Sequence, residues 1–290
     1  MLSAFINNTS TRLDTADLLM WRNAGLRLTS GGFICPSNPN NADYTAETAM
    51  TDDLVSNALI WLLMKLNNFI AAGDDVPESL SPLGLGIRQQ ELFDYWTGLE
   101  IQLQAWYDGL PDSFHPTATV AHPNVGSDPP AIAEIWFPRS MCASTMQSYH
   151  FARIQLLHNK PHLSTGSALA GQRASLSAGS SLAARHASYA SILQQSRSHA
   201  KEIVSIGLGR HDEAARIHSV QPLWTAGLVL GVADGGDDAV DAETEMWRRS
   251  VISQLRGIER DMGWASEYRV QNLLELWDLP SDWGLDDEGA

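Results

Sequence analysis

Residues 221–277 read QPLWTAGLVLGVADGGDDAVDAETEMWRRSVISQLRGIERDMGWASEYRVQNLLELW, and the spacing of their apolar side chains decides the fold class. The stretch predicts a helix, an acidic glycine-rich loop, a long amphipathic helix, a tight turn at Gly263-Trp264 and a short closing helix. Trp247, Val251, Leu255, Ile258 and Met262 recur every three or four residues, which puts them on one helical face. Glu243 and Glu245 sit where the positive end of that helix dipole would favour acids. Gly263 supplies the left-handed residue that ends it. Ser266 is then expected to cap a helix whose inner face is Val270, Leu273, Leu274 and Trp277.

The same period extends outward. Val55, Leu59, Leu62, Leu66 and Phe69 predict a buried helix that stops at Gly73-Asp74-Asp75. Leu92, Trp96, Leu99, Leu103 and Trp106 predict another, ended by Gly109-Leu110-Pro111. Cys142, Met146, Tyr149 and Leu156 share a face of a third, closed by Pro161. Leu182, His186, Tyr189, Leu193, Ser196, Ala200, Ile203 and Gly207 form a long seam with a period near 3.5, suited to a neighbouring helix or to a homodimer. Alternation of period two is absent, so the expectation is an all-α protein, a multi-helix array of antiparallel helices. We expect one domain over residues 1–290, with a sub-boundary in the proline-rich stretch 111–134 and a mobile loop at the Ser/Ala/Gly-rich stretch 164–181.

Charge narrows the function classes. The formal net charge of −15 opposes direct binding to nucleic acid, because phosphate contacts need a local excess of cations. Residues 135–210 run the other way: Arg139, Arg153, Lys160, Arg173, Arg185, Arg197, Lys201 and Arg210 face a single acid, Glu202. Attraction to the acidic remainder of the same fold explains that excess, and an acidic partner segment is the sharper alternative. Cys35 and Cys142 are the two cysteines, far apart and outside any CxxC pattern, and read as reduced thiols. The first residues lack a cationic region followed by an apolar run, so secretion is not expected. The apolar run 58–64 is broken by Lys65, Asn67 and Asn68, short of the roughly 20 residues of a membrane span.

Several segments resemble the fungal-specific transcription factor domain, the regulatory region of fungal binuclear zinc-cluster regulators. Gln221-Pro222-Leu223-Trp224, Ala226-Gly227, Glu259, Gly263-Trp264 and Leu274 to Trp277 carry the C-terminal part. Upstream, Glu134-Ile135-Trp136-Phe137, Gln147, Tyr149-His150-Phe151-Ala152-Arg153, Leu156-Leu157 and Lys160-Pro161 resemble its middle segment. Trp106, Leu110-Pro111 and Phe114 to Pro116 resemble the stretch before that. The resemblance covers about residues 90–280 and implies a nuclear or cytoplasmic regulatory domain. Members of that family usually carry a six-cysteine zinc cluster that binds DNA; two cysteines cannot form it. The chain is then either the regulatory part of a longer regulator or a member that lost DNA binding.

Candidate site residues are few. Tyr149, His150 and Arg153 lie on one side of a helix whose other face is apolar, and with Trp224 they are the ligand-binding candidates. Arg153 would be the fork for a carboxylate or phosphate. The competing reading of the same residues is a polar tie between helices. His158 with His162, and His211 with His218, lack the three or four converging ligands of a metal site, and surface positions account better for these histidines. No cofactor motif, nucleophile elbow or phosphate loop occurs. The tail 282–288 mixes acids with Trp283 and Leu285 as activation segments do, and solvated chain ends share that composition. A small-molecule effector or protein partner is therefore expected. The alternative is a scaffold repurposed as an enzyme of fungal secondary metabolism, with Tyr149, His150 and Arg153 as acid, base or anchor.

Overall fold

The computed structural model describes residues 52–74, 82–121, 132–161, 178–209, 212–231 and 242–284. Among them are seven α-helices: α1 (Asp52–Asp74), α2 (Pro82–Asp108), α3 (Ser140–His158), α4 (Ala178–Leu208), α5 (Glu213–Leu230), α6 (Ala242–Met262) and α7 (Glu267–Leu276). The all-α expectation holds, with one correction. Strands β1 (Ala118–Ala121) and β2 (Ala133–Trp136) pair antiparallel, Ala118 opposite Trp136 and Ala121 opposite Ala133. The pair left no alternation in the sequence because β1 is exposed at all four positions. A strand with neither face buried imposes no polar-apolar period.

The chain divides into two compact units. One takes the described residues up to Leu110 together with Gln155–Gln194; the other takes Pro111–Ile154 and everything from Gln195 onward. Residues 164–177 of the expected mobile loop lie outside the described residues, and 178–181 already belong to α4. The glycine-rich loop 232–241 and the tail beyond Gly284 also lie outside them.

In the first unit α1 packs on α2. Leu59, Leu62, Leu66, Leu99 and Leu103 are almost fully buried, as their spacing requires. Trp106 Nε1 donates to the Val55 carbonyl at 3.0 Å, so its ring is buried without stranding its polar atom. Trp96 does the same with the Leu156 carbonyl at 2.7 Å. By length and composition alone α1 would suit a membrane span, yet most of it is buried within the fold.

In the second unit α5, α6 and α7 pack on one another. Asp212 caps α5 by accepting from the Ala215 amide at 2.9 Å. Pro222 lies inside that helix. Gly227 brings α5 close to its neighbours: a β-carbon there would lie 2.7 Å from Leu273 Cδ1 and 3.2 Å from Val251 Cγ1. Gly263, at φ +67°, ends α6 as expected.

The expected Ser266 cap is corrected. Ser266 precedes α7, but its hydroxyl donates to the Leu255 carbonyl at 2.7 Å and caps nothing. The Glu259 carboxylate does the capping instead, accepting from the amides of Ser266 and Glu267. Those amide bonds hold the Glu259 carboxyl below the usual carboxylate range. Of the α4 seam residues whose burial is described, Ser196, Ala200 and Ile203 are inside, while Tyr189 is 68% exposed.

Candidate functional site

α3 and the second half of α4 run antiparallel within the second unit, tied at two rungs. Gln147 Nε2 donates to the Ile203 carbonyl at 3.0 Å. One turn along α3 and one turn back along α4, His150 Nδ1 meets His199 Nδ1 at 3.0 Å. Apolar residues close around these rungs: Cys142, Ala143, Met146, Phe151, Ala152 and Ile154 on α3, and Ala200 and Ile203 on α4, are all buried. A helix buried on this many faces must take its polar side chains inside with it.

Tyr149 stands edge-on to both imidazoles, its ring centroid 5.3 Å from His150 at 73° and 6.4 Å from His199 at 89°. The two imidazoles are 5.3 Å apart and tilted by 45°. Burial, then the neighbouring His199, then the Arg153 charge push His150 down to about 3. Burial first and Arg153 second push His199 down to about 4. Both rings are therefore neutral near pH 7, and an Nδ1···Nδ1 hydrogen bond requires opposite tautomers. One ring donates through Nδ1–H and keeps a bare Nε2; the other accepts at Nδ1 and carries its proton on Nε2.

Arg153 is 8% exposed. Its Nε and Nη1 are buried and meet no hydrogen-bond acceptor among the described residues. A buried cation with two unmet donors beside a neutral imidazole pair is electrostatically incomplete. Of the four residues singled out from sequence, the fold brings Tyr149, His150 and Arg153 together. The contacts of Trp224 are with α7: it is half-buried, donates to Asn272 Oδ1 at 3.0 Å and lies under Arg269 at 4.3 Å.

His199 is the residue that sequence reasoning missed. It lies one position from Ala200 in the seam and is not among the candidates; its ring is turned toward His150. The signal was available: His199 precedes Ile203 by four positions, as His150 follows Gln147 by three, so both pairs share a helical face. Among the described residues no group of three or more His, Cys, Asp or Glu could hold a metal ion.

Within the basic stretch 135–210, Lys201 Nζ pairs with Glu243 on α6 at 2.5 Å. Both side chains are well exposed, so the pair adds little stability.

No family profile matches the chain, and no solved structure does. A curated relative is the transcription activator AMTR1 of Alternaria alternata, 40% identical over 285 residues. The match covers 96% of this chain but 34% of that protein. The chain is thus similar, along nearly all of its length, to about one third of a fungal transcription activator.

Proposed function

We propose that this chain is the regulatory body of a fungal transcription regulator, working in the nucleus and leaving DNA contact to other parts of the machinery. The observation that supports this most is the likeness to a transcription activator across 96% of the chain. The helical scaffold supplies a polar cluster of buried Tyr149, His150 and Arg153 with half-buried His199, where an effector can favour one of two states of the regulator. An effector shifts such an equilibrium only through its differential affinity for the two states. Two unmet guanidinium donors are the kind of group whose free energy differs sharply between bound and free states.

The enzyme reading has less support. With His150 held at about 3 and His199 at about 4, both are weak general bases, and neither carries an imidazolium proton to give as a general acid at neutral pH.

Fusing the 290-residue chain to a heterologous DNA-binding module and a reporter tests the proposal. Reporter output should differ from that of the module alone. Identical output, with the fusion folded and nuclear, would overturn it.

A further inference from the structure

We propose that the Arg153 cluster is a binding site for a small organic carboxylate. This deepens the regulatory reading and rests on it for its biological meaning, though not for its test. Arg153 sits between buried Ala152 and Ile154, is itself 8% exposed, and leaves Nε and Nη1 without acceptors. A core arginine held this way costs stability and repays the fold nothing through those two donors. It fits a ligand group better than a helix tie, because a tie would spend those donors on the neighbouring helix. That task is already done by Gln147 on the Ile203 carbonyl and by His150 on His199.

Charge balance selects the ligand class. The site offers one full positive charge, since the imidazole pair is neutral. A monoanionic carboxylate neutralises it completely, whereas a phosphate dianion would leave a buried net charge. The guanidinium matches a planar carboxylate in shape, with parallel N–H donors. The imidazole pair retains one Nε2–H donor. The edge-on Tyr149 ring, buried beside the imidazole pair, favours an acid with an apolar body over a small hydrophilic one.

The test titrates the purified 290-residue chain with benzoate, acetate and inorganic phosphate by calorimetry and thermal unfolding, at pH 7.5 and constant ionic strength set with chloride. Saturable heat and a rising Tm with benzoate, exceeding acetate and phosphate, are expected. Arg153→Met should weaken benzoate binding by about tenfold to a hundredfold, the usual worth of a charged hydrogen bond. The same variant should raise the Tm of the ligand-free chain, because it removes an unpaired buried charge. Arg153→Lys, which keeps the charge but loses the planar fork, should bind weakly and unfold near wild type. A ligand-free Arg153→Met chain that unfolds earlier, or fails to fold, would show a structural tie and overturn the proposal. So would phosphate binding more tightly than benzoate, or no saturable binding to wild type. Binding is read without any reporter, so its failure leaves the transcription reading standing, and a silent reporter leaves the binding site standing.

Discussion

At Gly231 the space that a β-carbon would need is filled by the Trp277 indole, at Nε1 and Cε2. Arg248 Nε donates to the Gly231 carbonyl at 3.1 Å, and its guanidinium lies 5.2 Å from the Trp277 ring centre. The end of α5 is thus closed by an indole and a guanidinium together. Its φ of −77° is ordinary, so the glycine is required by close approach and not by backbone strain. Gly231→Ala should cost about 1–3 kcal/mol, as overpacking does; urea unfolding checks this, and a loss under about 0.5 kcal/mol would refute the packing account. The histidine pair makes a different prediction. Folding lowers His150 to about 3 and His199 to about 4 from an ordinary 6.5. Below pH 6.5 the unfolded chain takes up protons that the folded chain refuses, so stability is complete above 6.5 and falls as the pH drops toward 4. The loss should approach about 1.4 kcal/mol per pH unit for each histidine. Urea unfolding at pH 7.5, 6.5 and 5.5, on roughly the scale set by that linkage, should show this decline, and His150→Gln with His199→Gln should flatten it. An equally steep decline in the double variant would place the effect elsewhere.

Among the elements, α6 and α7 show how much of a helix boundary can be read locally. Gly263, the apolar stripe of α6 and the inner face of α7 stand where the sequence puts them, because each depends on neighbours within a few positions. The cap of α7 does not. Ser266 precedes the helix as a good capping residue should, but Glu259 lies a turn before the end of α6 and folds back across Gly263 to take the two amides. Glu259→Ala should therefore cost about 1–2 kcal/mol, and Ser266→Ala less, measured by thermal unfolding at pH 7. Equal costs would return the capping role to Ser266. Because the carboxyl is held below its ordinary 4.5, its contribution is present above that pH and fades as the pH falls through the lowered value. The β1–β2 pair is the converse case, an element whose partners are separated by a proline-rich stretch and whose first strand is exposed and carries no period.

For the whole molecule, the net charge of −15 sets the long-range behaviour. The 290-residue chain should give no specific band shift with duplex DNA at physiological salt. Tight specific binding would overturn the division of labour proposed for it. Composition and local period by themselves determined the all-α class, the buried faces of α1, α2, α3, α6 and α7, and the glycines that follow α2 and α6. These properties follow from side chains within a turn or two of one another, where chemistry and position in the chain are nearly the same thing. Tertiary structure alone decided the His150–His199 pairing across 49 positions, the Glu259 cap, the fit of Trp277 over Gly231, and the contacts of Trp224 with Asn272 and Arg269. It also decided that Arg153 enters the core without acceptors for two of its donors. A sequence shows that an arginine is there; whether its charge is answered depends on atoms that only folding brings near it.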